Sequence, residues 1–138
     1  MSARGFVMTE VLVSLLLLGL AVAGMLGMAL GGLAATAEAR RAQQAGMLAA
    51  DLAGRMRALP GVDWTALPGP ASCAGGCSPE ALAALELSEW RARLEQELPD
   101  AKGSLAALGA GVIALEIEWT ATGGEQRALR LGLAPGVP

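Results

Sequence analysis

No charged residue occurs between Glu10 and Glu38. A helix that crosses a bilayer needs about 20 consecutive apolar residues, and the run from Val11 to Ala37 exceeds that. It holds the leucine block Leu15–Leu18 and five glycines: Gly19, Gly24, Gly27, Gly31 and Gly32. In water each glycine weakens a helix by up to about 1 kcal/mol relative to alanine. In a membrane or a helix bundle, small residues let backbones approach, and Gly27-x-x-x-Gly31 has that spacing. The alternative is that these glycines are merely tolerated. The chain is 54% hydrophobic with a mean hydropathy of +0.49, and the excess is concentrated here. Beyond Glu38 the composition is ordinary and polar. That leaves about 100 residues, enough for one small core.

The periodicity predicts that the helix continues to Leu59. Met47, Leu48, Leu52, Met56 and Leu59 recur at helical spacing, which predicts one apolar face. Glu38, Arg40, Arg41, Gln44, Asp51, Arg55 and Arg57 supply most of the polar remainder. Pro60–Gly61 is a stop signal. A helix from Phe6 to Leu59 would be about 80 Å long at 1.5 Å per residue. It cannot be buried within a globule of this size, so its first half must be covered by lipid or by other chains.

Gly61 to Ser78 reads as a loop anchored by Trp64. Ser78–Pro79–Glu80 is a helix start: an N-capping hydroxyl, a proline at the first position and an acid in the first turn. The second helix is predicted to Leu98, with Leu87, Trp90, Leu94 and Leu98 as its apolar stripe and an interruption allowed near Ser88. From Gly111 to Trp119 the pattern alternates. Ile113, Leu115, Ile117 and Trp119 face one way, and Ala114, Glu116 and Glu118 the other. Thr122–Gly123–Gly124 is a turn signal. Gln126 to Leu133 alternates again, with Leu129, Leu131 and Leu133 inward. Arg127 and Arg130 are placed opposite Glu116 and Glu118, for at most about 1 kcal/mol per pair. Gly103 to Leu108 reads as a short, weak strand, and Ala134–Pro138 as a tail. The expected fold class is α+β: a long N-terminal helix whose C-terminal half packs on a small antiparallel sheet.

Several functions find no residues to carry them. The net charge is −3 and there is no histidine. The arginine pairs have acidic neighbours and read as solvated helix faces, not a phosphate track, so direct nucleic-acid binding is not expected. Ser14, Ser72, Ser78, Ser88 and Ser104 have no imidazole to act as base, so no catalytic residues are assigned and an enzyme is not expected. Cys73 and Cys77 alone are too few for a metal site, and no metal or cofactor is expected. In an exported chain such a pair reads as a disulfide. Closing so short a loop stabilises by about 2 kcal/mol in the chain-entropy model.

Three readings compete for the first 37 residues. A secretory signal peptide would use Arg4 and the small-residue motif Ala35-Thr36-Ala37, but the apolar run is about twice the usual length and begins with an acid. A plain unprocessed anchor leaves Glu10 unexplained, because an ion near the lipid core costs roughly 3 kcal/mol even on a lenient scale. The third reading uses every residue. Gly5–Phe6, then Thr9–Glu10, then an uncharged Val/Leu-rich run resembles the signature of type IV prepilins and type II secretion pseudopilins. That resemblance implies a leader of residues 1–5 cut after Gly5 by a prepilin peptidase. It implies N-methylation of Phe6, a polymerisation and transmembrane helix over residues 6–37, and a periplasmic head over 38–138. Glu10 would become the fifth mature residue. A carboxylate among apolar helices needs a compensating cation, and the ammonium of a neighbouring subunit's N-terminus would supply it, setting axial register as a polar residue does in a coiled coil.

Asp51–Leu52–Ala53–Gly54–Arg55–Met56–Arg57, then Cys73…Cys77–Ser78–Pro79, Glu89–Trp90, Leu94, Leu98–Pro99 and a strand ending in Trp119 resemble the PilV, or type IV pilus modification protein, family of minor pilins. Family members often carry an aspartate shortly before the helix tryptophan, where this chain has Glu86 and Glu89, and a larger loop. The resemblance implies a low-abundance subunit that primes assembly and sits at the pilus tip. Its partners would be other minor and major pilins, contacted through the N-terminal helix, the membrane, and often a large tip adhesin. The systems concerned serve twitching motility, attachment or DNA uptake. An I-type minor pseudopilin of a type II secretion system shares the N-terminus and a small α/β head. A secreted binding domain with a cleaved signal is the distant alternative.

Overall fold

The computed structural model describes residues 3–69, 73 and 76–134. Met1–Ser2, part of the cysteine loop (Ser72 included) and most of the C-terminal tail lie outside that description. The elements are α1 (Ala3–Ala58), α2 (Pro79–Glu97), β1 (Lys102–Gly109), β2 (Val112–Thr120) and β3 (Gln126–Leu133). This is an α+β, pilin-like architecture. The chain divides into two compact units, Met1–Ala37 and Glu38–Pro138.

The first unit is helix alone. α1 begins at Ala3, earlier than the expected Phe6. Nothing between Ala3 and Phe6 breaks a helix outright, since Gly5 costs only about 1 kcal/mol, and a formed helix adds residues cheaply at its end.

In the second unit, the remainder of α1 and all of α2 cover one face of the sheet. Ala45, Leu48, Ala49, Leu52 and Met56 of α1 are buried with Leu87, Trp90 and Leu94 of α2 and Ile113, Leu115, Ile117 and Trp119 of β2. Met47 does not join them and is 59% exposed. The buried positions 45, 48, 49, 52 and 56 share one helical face, and at about 100° per residue Met47 falls outside it. Trp64 anchors its loop at 2% exposure. α1 ends with Leu59 N–H donating to Met56 O at 3.4 Å, just before Pro60.

α2 starts as its sequence indicates: Ser78 Oγ accepts from Ala81 N–H at 3.2 Å, with proline in the first turn. It is unbroken at Ser88, whose hydroxyl donates to Leu85 O at 2.7 Å and so remains within the helix. Trp90 is fully buried, and its Nε1–H donates to Leu48 O at 2.8 Å.

The sheet is antiparallel in the order β1-β2-β3. β1 is a full strand: it pairs from Lys102↔Glu118 to Gly109↔Val112, with a register shift between Ala107 and Gly109. Its turn, Ala110–Gly111, has positive φ at both residues, 52° and 75°, the twist-matched hairpin geometry. The β2–β3 connection closes with Gly124 N–H donating to Ala121 O at 2.9 Å and Ala121 N–H donating to Glu125 O at 2.8 Å. Gly124 at φ 79° supplies the left-handed residue such a loop needs.

Two details of β3 differ from expectation. Arg130 is opposite Glu116 and pairs with it at 2.6 Å, but Arg127 is opposite Trp119 and pairs with Glu125 at 2.9 Å. Register accounts for this, because Glu118 faces Ala128. Leu129 and Leu133 pack on the core, whereas Leu131 between them is 38% exposed, as an edge strand permits.

Candidate functional site: the apolar N-terminal segment

From Met8 to Leu33 every large apolar side chain is between 49% and 81% exposed. By length and composition the helix is long and apolar enough to cross a membrane. Its backbone is helical through Gly5 and Phe6, while the Phe6 side chain lies outside the description.

Glu10 stands on this helix, exposed, beside Thr9, Val13 and Ser14. Ser14 Oγ donates to the Glu10 carbonyl at 2.8 Å, back along the helix. The Glu10 carboxylate has no ion pair among the described residues, and the next charge along the chain is Glu38. In an apolar environment such a carboxylate needs a cation from outside the chain or a proton. Among the described residues the geometry therefore leaves one carboxylate without an ion pair at the start of the uncharged run from Val11 to Ala37.

Glu38 is the first residue of the second unit, and it is held. Trp119 Nε1–H donates to its Oε1 at 3.1 Å, and Arg41 approaches its Oε2 at 3.8 Å. Arg41 also donates to Thr120 O at 3.4 Å and Thr122 Oγ1 at 3.0 Å. These contacts tie the helix, just past its apolar run, to the end of β2 and its turn.

Cys73 and Cys77 form a disulfide with Cα atoms 5.2 Å apart. Cys77 immediately precedes the capping Ser78, so the bridge tethers the start of α2.

One cluster does not follow the sequence reading. Arg55 is no solvated helix charge: its side chain is 19% exposed and pairs with Asp51 at 3.1 Å and with Glu86 of α2. Arg93 joins at 3.3 Å from Asp51. Burial alone would lower the Arg55 pKa, but the carboxylates of Asp51 and Glu86 outweigh it and hold it above the usual value. The i,i+4 spacing of Asp51 and Arg55 was readable in the sequence; the partner on α2 was not. Among the described residues no group of three or more His, Cys, Asp or Glu side chains could hold a metal ion.

The fold and this segment define an α+β protein with a small disulfide-bonded head and one N-terminal helix compatible with a single-pass membrane anchor. Compared with protein-family models, curated proteins and solved structures, the chain matches none of them.

Proposed function

We propose that this chain is a minor pilin of a type IV pilus, of the PilV kind. It is cut after Gly5 by a prepilin peptidase, methylated at Phe6, held in the inner membrane with its head in the periplasm, and incorporated into the assembly-priming and tip complex. One observation carries the reading. A single exposed carboxylate, Glu10, has no ion pair among the described residues and stands four residues past a Gly-Phe junction, at the start of an exposed run that carries no charge up to Ala37. A plain anchor has no use for that carboxylate, whereas a bundle of such helices does. Each Glu10 meets the N-terminal ammonium of a neighbour, and the pair favours one axial offset. The disulfide agrees with an oxidising compartment, and the held Glu38 marks where the apolar run gives way to the head.

The test is the N-terminus of the mature protein from the native host. N-methylated Phe6 supports the proposal. A start at Glu38 would establish a cleaved signal peptide, and an intact Met1 a plain anchor.

A further inference from the structure

The start of the Glu38–Pro138 unit is attached differently from the rest of it. From Glu38 to Gln44, α1 buries no apolar side chain, and its first core residue is Ala45. Ala39, Arg40, Ala42, Gln43 and Gln44 are exposed. Further along, Leu48, Ala49, Leu52 and Met56 hold the helix in the core. Lifting that later stretch would expose apolar surface to water, at a cost that scales with its area. Lifting residues 38–44 removes none of their own apolar side chains from the core.

Among the described residues, three hydrogen bonds join this stretch to the sheet and its turn. Trp119 Nε1–H donates to Glu38 Oε1 at 3.1 Å. Arg41 donates to Thr120 O at 3.4 Å and to Thr122 Oγ1 at 3.0 Å. The attachment is incomplete. Glu38 Oε2 is buried and accepts no hydrogen bond. Arg41 approaches it as an ion pair at 3.8 Å, beyond hydrogen-bonding distance. A carboxylate oxygen desolvated without a donor costs free energy in the docked state, and water supplies its donors once the stretch lifts. The Arg41 and Glu38 side chains are 26% and 25% exposed, so solvent already reaches part of each.

We propose that residues 38–44 form a latch that opens and closes on the sheet while the head stays folded. Opening moves the first docked residue of α1 from Glu38 to Ala45. It frees about two turns of helix, or about 10 Å. The length of free helix between the apolar run and the core thereby becomes adjustable. Local opening of this kind needs less free energy than global unfolding. The proposal uses contacts inside one unit and stands independently of the function proposed above.

The experiment follows exchange of the indole N–H groups with deuterium, in the full chain in detergent micelles, by the loss of each Nε1–H signal in a proton–nitrogen correlation spectrum. Trp90 is the internal reference, because its ring is fully buried and its Nε1–H is bonded to Leu48 O in the core. Trp119 Nε1–H reports the latch. It should exchange about tenfold faster than that of Trp90. Glu38→Ala removes its acceptor and should speed Trp119 by about a further tenfold, with Trp90 unchanged. Thr122→Ala is the sharper variant. Thr122 is bonded to Arg41, and among the described residues it has no hydrogen bond to Trp119 or Glu38, so it reaches the Trp119 indole through movement of the whole stretch. It should speed Trp119 by about threefold. Equal rates at Trp119 and Trp90 in the unsubstituted chain would overturn the proposal, since the stretch would then leave only with the rest of the head. A Trp119 rate indifferent to Thr122→Ala would overturn it as well, because the indole would be moving alone. Both outcomes can be read even if Glu38→Ala does not fold.

Discussion

A methyl group at Gly103 would come closer than 3.0 Å to the ring of Trp90. The ring cannot easily retreat, because it is fully buried and its Nε1–H is bonded to Leu48 O. Overpacking of this kind costs about 1–3 kcal/mol, so Gly103→Ala should lower stability by about 3 kcal/mol in denaturant unfolding. Trp90→Phe in the same chain should recover part of the loss, since a smaller ring makes room and neighbouring sites are not additive. An equal cost for Gly103→Ala with either ring would show that the contact is not the cause. Glu10 is the opposite kind of residue, touching nothing that holds the fold. If the chain is a minor pilin as proposed, Glu10→Ala should leave head stability and cleavage after Gly5 unchanged, and should remove the subunit from sheared filaments while it persists in the inner membrane. Quantitative detection in the two fractions checks this, and wild-type incorporation would refute the ion-pair role.

At the scale of elements, the start of α2 is secured twice, by the Ser78 cap and by the disulfide one residue earlier. Replacing both cysteines with serine should cost about 2 kcal/mol, measurable as a lower denaturation midpoint with the fold retained. Thiol labelling should find no free thiol until reductant is added. Two carboxyls near these connections titrate low. Asp63 is held below its ordinary 3.8 by hydrogen bonds from the Thr65 hydroxyl and backbone N–H. Glu80 is held below 4.5 by its own N–H and by Ser78. A depressed native pKa means that the unfolded chain binds more protons as pH falls. The stabilisation from both groups is therefore complete above about pH 5 and is lost as pH drops below these ordinary values. Thermal unfolding of Asp63→Asn and Glu80→Gln should show a shallower decline below pH 4.5 than the parent. An unchanged acid limb would exclude these groups as its source.

At the scale of the whole molecule, the two units need different surroundings. The first exposes every large apolar side chain it has among its described residues. Among the described residues the second keeps most of its large apolar side chains in one core, and the exposed large ones are Met47, Leu108 and Leu131. A chain starting at Glu38 should therefore be soluble without detergent, with a far-ultraviolet spectrum of mixed helix and antiparallel sheet. It retains Trp119–Glu38 and Arg41–Thr122 intact. Aggregation that persisted with the disulfide formed would mean that the core residues of α1 require another chain.

Features that depend on near neighbours could be read without coordinates. Ser78–Pro79 announces a helix start because the capping bond closes within a single turn. Ile113 to Trp119 announces a strand because successive side chains alternate. The uncharged run announces an apolar helix because lipid tolerates little else. That Glu10 opens a long run without any charge was legible in the same way, since the next charge toward the C-terminus is Glu38. The tertiary structure alone decided what depends on distant partners. Whether Arg55 is solvated turns on Glu86, 31 residues away, which only the packing of α2 on α1 brings near. The need for glycine at position 103 arises from a tryptophan on another element. Leu131 has the alternation of a core residue, yet it is exposed because β3 has no strand on its far side. Sequence periodicity states which face a side chain takes; coverage of that face depends on how many strands and helices finally lie over it.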